Sequence, residues 1–439
     1  MSNRFFSILP VLIGVLIAEI ALGMMTTLIP LDLAAHGLTA NAIGLVGSGY
    51  FFGFLIGTLT CARLVRAVGH IRAFGAFLTV AADCALAMML TPDPLVWTGL
   101  RLLMGLSLSG MFLVAESWLN DKADNTSRGR VFGAYLLVSW GGAALGPLVY
   151  ALMHTADRAL IITGIAFATA LLPMALTPTP SPTLGEQRRF GLIKLFNISP
   201  MGTTCVLASG LVNSSFYTLV PLYLERHGFS PHQIPTFLSA ALAAALVVQY
   251  PVGMAADRFG RRPITVAALG LAVLVSLLFP ILGGGSAFWV LIILGCILSG
   301  VTAPLYGLGA GQTNDRVDRS DYVASSGGLL FAWAVGASIG PLAAGVVMAH
   351  LGPNALFFFL AFCLLLLSGF TLLRIRMRPG VESESAFVLA RGAPPQLLIP
   401  EAPLEEEPVP APDTETQEVG SVPPSEGDTA DGDGRGSST

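Results

Sequence analysis

Charge is what this chain has least of. Only 11% of its 439 residues are Asp, Glu, Lys or Arg, whereas 54% are hydrophobic. A soluble domain carries about 25% charge, so this chain cannot cover a water-facing surface of its own size. Paired cysteines are lacking too. Cys61, Cys84, Cys205, Cys296 and Cys363 all fall in or beside apolar stretches and none forms a CxxC pair, which argues for small buried side chains. The histidines His36, His70, His154, His227, His232 and His350 sit at loops or helix ends, without HExxH or comparable spacing. No metal and no cofactor are expected, and with no nucleophile–base constellation no catalytic residue and no enzyme. Basic residues occur in short loops, which argues against a nucleic-acid partner.

What is present is a succession of apolar runs of membrane-spanning length, making the lipid bilayer the main partner. Runs near 8–30, 41–63, 71–91, 95–118, 131–152 and 159–176 predict six helices. A second six is predicted near 200–222, 233–256, 263–281, 286–308, 323–348 and 354–373. In lipid only helices or closed barrels satisfy the backbone, and runs of about 20 residues fit helices. The first run is too long for a signal-peptide core and lacks a clear cleavage site, so it reads as the first membrane helix. With the N-terminus inside, 18 loop Lys and Arg residues fall on the cytoplasmic side, and only Arg158 and Arg226 fall outside. Both termini are therefore expected in the cytoplasm of a bacterium, with the spans in its inner membrane and a first external loop carrying Asp32 and His36.

The expected fold is all-α integral membrane, with twelve transmembrane helices in two six-helix pseudo-repeats. Residues 1–176 form the N-terminal half, 177–199 a cytoplasmic linker containing TPTPSPT, and 200–373 the C-terminal half. Residues 374–439 carry 13 acidic and 5 basic residues among Pro, Ser and Gly. They are expected to be a disordered acidic cytoplasmic tail.

The repeat is visible in the letters. Residues 27–38 read TLIPLDLAAHGL and residues 218–229 read TLVPLYLERHGF, with seven of twelve identical at an offset of 191. Asn120-Asp121 recurs as Asn314-Asp315, and Gly142-x-x-x-Gly146-Pro147 as Gly336-x-x-x-Gly340-Pro341, both at an offset of 194. Parallel repeats of this kind place a substrate site between the halves near mid-membrane.

Between the second and third helices of the second half stands Gly253-Met-Ala-Ala-Asp257-Arg258-Phe-Gly260-Arg261-Arg262. It resembles the cytoplasmic signature loop of the major facilitator superfamily. Arg101-x-x-x-Gly105 resembles that family's intramembrane arginine motif, and the two GxxxGP units resemble its antiporter-associated motif. The segment from Ala115 to Asp121, together with Arg63 to Arg72, looks like the YcaD-like branch. The resemblance covers residues 1–373. It implies a major facilitator fold and a transporter, with Gly253, Asp257, Arg258, Gly260, Arg261 and Arg262 in a cytoplasmic gate. The first half departs from the signature, because aligning Gly69 with Gly260 puts Arg66 where Asp257 stands. Glu116 or Asp121 would then supply the acidic partner, with Asp315 as the second-half counterpart. The family's architecture implies helices one and four at the cavity and helix three at the periphery.

Ionisable groups inside the membrane are costly, which makes each a functional candidate. Glu19, Asp83, Arg101 and Glu116 all lie in the first half, and the repeat puts Gly210, Leu274, Cys296 and Ala310 at or near their equivalents. At about 1.5 Å per residue, Glu19, Asp83 and Arg101 lie within about a turn of one depth. Arg101 could pair with either carboxylate. Glu19 with Arg101 is the favoured proton-coupling pair, and Asp83 a packing partner. Glu19, Gly23, Thr26 and Thr27 form a polar or small stripe, matched by Asn213, Ser214, Tyr217 and Thr218. Thr26, Thr27, Asn213, Tyr217 and Gln249 are therefore candidate cavity residues. The expected function is proton-coupled transport of a small-molecule substrate by alternating access, leaning to efflux. The alternatives are metabolite uptake and a non-transporting sensor or scaffold.

Overall fold

The computed structural model describes residues 2–123, 127–177, 189–283 and 288–377. Of the tail expected at 374–439, residues 374–377 form the last turn of the final helix, because the helix runs past the apolar stretch, and the rest lies outside the described residues. Among the described residues, twelve helices are long and apolar enough to cross a membrane. In chain order they are α1 Ile8–Ala35, α2 Ala40–Val68, α3 His70–Leu90, α4 Pro94–Lys122, α5 Arg128–Ala151 and α6 Ala156–Ala175. The second set is α7 Pro200–Arg226, α8 Gln233–Phe259, α9 Arg261–Leu282, α10 Phe288–Asn314, α11 Tyr322–Leu351 and α12 Ala355–Met377.

Most predicted helices are lengthened at their ends. α1 runs on to Ala35, so Asp32 belongs to its last turn and not to the following loop. His36 sits in that turn, its Nδ1 2.8 Å from the Asp32 carbonyl oxygen. A further short helix, Leu192–Ile198, precedes α7.

Local chemistry sets the boundaries. Thr39 caps α2, Asp93 caps α4 ahead of Pro94, and Thr155 caps α6, each accepting from backbone amides of the first turn. α2 and α3 are separated by Gly69 alone, α8 and α9 by Gly260 alone. Both glycines have positive φ, 84° and 88°. A side chain there would be strained, so glycine is what lets two long helices reverse direction within one residue.

The two sixes repeat one packing plan. Within the first, α1 lies along α5 and α6, α2 along α4, and α3 along α4 and α6. Within the second, α7 lies along α11 and α12, α8 along α10, and α9 along α10 and α12. Between them, α2 packs on α11, α5 on α8, and α7 touches α1 and α2.

Small residues allow this closeness. A Cβ on Gly142 would come within 2.7 Å of Glu19 Cβ, and one on Gly146 within 2.5 Å of Gly23 Cα. Gly336 and Gly340 press the same way against Leu207 and Leu211 of α7. Without a hydrophobic drive between helices in lipid, such approach maximises dispersion. Pro147 and Pro341 are carried inside α5 and α11. The outer surface is apolar: Leu137, Ile165, Val247, Leu274, Ile281, Ile293, Phe358, Phe362 and Leu366 are all exposed. Patches this extensive have lipid as their natural solvent.

Candidate functional site

The end of the bundle where α6 ends and α7 begins is the linker end, and the opposite one the far end. In the far half, the two sixes together line a cavity. α1 contributes Leu22, Gly23, Met25, Thr26, Ile29 and Pro30, and α2 contributes Gly47, Tyr50 and Phe51. Arg101 comes from α4 and Trp140 and Ala143 from α5. The second six supplies Ser214, Tyr217 and Thr218 from α7 and Leu242 from α8. Around the cavity the halves are sewn together. Ser48 Oγ accepts from the Leu342 amide at 2.9 Å, Ser239 Oγ donates to the Ala144 carbonyl, and a Cβ on Gly345 would meet the Ala40 carbonyl at 2.6 Å.

Arg101 is 7% exposed. Its guanidinium carbon lies 4.3 Å from the centre of the Tyr50 ring, and Nη1 points to Met104 Sδ at 3.4 Å. The expected ion pair with Glu19 or Asp83 is not formed. Two causes separate them. Glu19 is fully buried where α1 crosses α5, against Gly142, about one turn below the cavity lining on α1. Asp83 is exposed on α3, on the outer face of the bundle. It is therefore neither a cavity residue nor a buried packing partner.

Two of the five candidate cavity residues, Thr26 and Tyr217, reach the lining. Thr27 is fully buried away from it. Asn213 is spent on structure: Pro304 breaks α10, and Asn213 donates to the Thr302 carbonyl at 3.3 Å and accepts from Thr302 Oγ1 at 2.8 Å. Gln249 donates back to the Ala245 carbonyl of its own helix. Tyr50 and Phe51 were not candidates. Their signal is helical spacing with Gly47, which puts one small and two aromatic residues on one face of α2.

The gate candidates split by half. In the second, Arg261 Nη1 and Asp315 Oδ2 form a buried ion pair at 2.6 Å. Arg261 lies so close to Gly311 that a Cβ there would meet its guanidinium carbon at 2.6 Å. Gln312 braces the same corner by donating to Thr265 Oγ1. Gly253 is buried in α8, while Asp257 and Arg258 are exposed, Arg258 lying 5.4 Å from the Phe259 ring centre. Arg262, at the start of α9, is half-buried. In the first half no Arg66 latch forms. Arg66 is exposed, Asp121 pairs with Lys122 at 2.9 Å, and Glu116 is buried, accepting from Tyr135 Oη at 3.1 Å. The place of Arg261 is taken by His70, whose Nε2 lies 2.9 Å from Ser117 Oγ and whose ring meets Trp118 edge-on.

Among the described residues, no three His, Cys, Asp or Glu side chains gather as a metal would require. The five cysteines are free thiols.

Comparison with known proteins agrees with this architecture. Over 364 residues the chain is 28% identical to an uncharacterized MFS-type transporter of Yersinia pestis (strain Pestoides F), covering 82% of this chain and 94% of that protein. It is 29% identical over 353 residues to the uncharacterized MFS-type transporter YcaD of Escherichia fergusonii, covering 79% and 90%. Among solved structures it is similar to the nucleoside transporter NupG, with TM-score 0.72 and 13% identity over 84% of this chain and 99% of that one. It is also similar to a bacterial homologue of the human lysosomal transporter Spinster in an inward-facing, occupied conformation. There the TM-score is 0.72 at 14% identity, over 86% and 98% of the two chains. These structural likenesses carry the fold alone. The family model of the Major Facilitator Superfamily matches residues 11–242 and again 202–406, two overlapping matches that together span the bundle. Twelve membrane-spanning helices, a doubled packing plan and a doubled family match make this chain a multi-pass membrane transporter of the Major Facilitator Superfamily.

Proposed function

We propose that this protein is a secondary active transporter of the bacterial cytoplasmic membrane, exporting a small molecule by alternating access and coupled to protons through Glu19. The observation that carries the reading is a cavity lined by both six-helix halves, with a fully buried carboxylate about one helical turn below its floor. A site shared by two halves changes its exposure when the halves rock, and a carboxylate in that path can exchange a proton with either side. The orientation places the linker end in the cytoplasm, supported by its share of loop Lys and Arg. Export is favoured by the paired GxxxGP units, which hold α5 on α1 beside Glu19 and α11 on α7.

The test is reconstitution in liposomes with an imposed pH gradient, using a compound selected because it raises the stability of the purified protein. Glu19→Gln keeps the size and hydrogen bonding of the side chain but cannot titrate. It is expected to abolish uphill movement while leaving downhill exchange largely intact. Uphill movement at the wild-type rate in Glu19→Gln removes Glu19 as the coupling site. Accumulation against the expected direction reverses export to uptake.

A further inference from the structure

Arg101 is a permanent cation in an otherwise uncharged cavity. Of the residues lining the space, it alone carries a charge at neutral pH. Its neighbours there are the Tyr50 ring and the Met104 sulfur, and neither neutralises it. Its Nε is buried without a hydrogen-bond partner, and so is the Tyr50 hydroxyl. A buried cation left this way is expensive, and in lipid more so.

We propose that Arg101 is the anion-binding group of the cavity, and that the ligand is an amphipathic organic anion: a carboxylate on an apolar or aromatic body. This rests on the cavity being the substrate site.

The other polar groups of the lining point to the same head group. Thr26 Oγ1 gives its proton to the Gly23 carbonyl, Ser214 Oγ to the Leu211 carbonyl, and Tyr217 Oη to Ser299 Oγ. Those hydroxyls meet a ligand with lone pairs only. Arg101 Nε and the Tyr50 hydroxyl are donors with no hydrogen bond, and the two residues stand together. A head group that accepts hydrogen bonds and carries negative charge satisfies both. The planar guanidinium, held on the Tyr50 face, presents the fork that suits two carboxylate oxygens. The remaining walls are Leu22, Met25, Ile29, Phe51, Trp140 and Leu242, which suit an apolar body. A cationic ligand would face Arg101 with no carboxylate in the lining to offset it.

The test uses matched trios sharing one body: 4-phenylbutyrate, 4-phenylbutanamide and 4-phenylbutylamine, then the naphthyl and indolyl equivalents. Binding to the purified full-length protein is read by thermal shift and isothermal titration. In wild type the carboxylate is expected to bind at least about tenfold more tightly than its amide, the worth of one charge-assisted hydrogen bond. Arg101→Gln is expected to erase that preference while leaving amide binding within about threefold. Its melting temperature without ligand should be unchanged or higher, because a buried, unneutralised charge is gone. Arg101→Lys, which keeps the charge and loses the fork, should retain a weakened preference, so the result does not hang on one variant. If no carboxylate outbinds its amide, if an amine binds more tightly, or if Arg101→Gln keeps the preference, the proposal is overturned. Glu19→Gln should retain the carboxylate preference. Its result in the gradient assay therefore decides proton coupling separately from anion binding.

Discussion

The two sixes share a plan and divide the labour. At the linker end, the second carries a buried ion pair, Arg261 with Asp315, where the first carries His70 against Ser117 and Trp118. In the membrane interior the balance is reversed. The first buries Glu19, Arg101 and Glu116, while Gly210, Cys296 and Ala310 stand at or near the equivalent places. The rings divide as well. Phe216, Tyr223, Phe237, Phe279 and Phe357 form one aromatic cluster in the second half, with Phe279 and Phe357 stacked at 3.9 Å. Duplication of a scaffold thus leaves each copy free to lose what the other supplies. One half holds the buried intramembrane charged groups, and the other holds the buried ion pair at the linker end and the larger aromatic cluster.

That contrast can be tested by breaking each side of it. Arg261→Ala should have the largest effect. It removes the buried ion-pair partner of the Asp315 carboxylate, at a cost of about 3–5 kcal/mol. The matching change His70→Ala removes a neutral contact and should cost only about 1 kcal/mol. Melting temperatures of the detergent-solubilised variants compare them; equal losses would mean that the two corners are braced alike.

Next come the helix crossings. Gly146→Val forces a side chain into Gly23 and the Ile20 carbonyl, and Gly340→Val forces one into Leu211 and Ser215. Each should lose about 1–3 kcal/mol by overpacking, and similarly in the two halves. A variant that folds normally with unchanged stability shows that its crossing is looser than described.

Tyr135→Phe should follow, removing a donor from the buried Glu116 carboxylate at a cost of about 1.5–3 kcal/mol. The smallest effect is expected from Asp83→Asn, within about 0.5 kcal/mol, since Asp83 faces outward and no interior contact is lost. A loss above about 2 kcal/mol would place Asp83 in a contact that the outer face does not offer.

The charge deficit, the apolar runs and the repeated letters were enough to read twelve helices and their duplication, because lipid leaves the backbone few ways to satisfy its polar groups. The single glycines at 69 and 260 fit the abrupt reversals the structure shows there, since glycine takes those backbone angles without strain. Partnerships were less legible. Depth along each helix put Glu19, Asp83 and Arg101 at similar levels, but depth says nothing about which way a side chain points around the helix axis. Asn213 was a polar residue on a plausible stripe, yet the break at Pro304, on another helix, claimed it.

The sequence by itself determined what is local or periodic: where the apolar helices lie to within a turn or two, how many cross the membrane, and that the second six repeats the first. Only the tertiary structure decided what depends on azimuth and on the neighbouring helix. It turned Asp83 outward, seated Glu19 against Gly142, and left Arg101 over Tyr50 with the cavity beside it. The reason is geometric. Successive residues on a helix point about 100° apart, so a small rotation of the whole helix, set by packing against its neighbours, decides which residues meet and which face lipid.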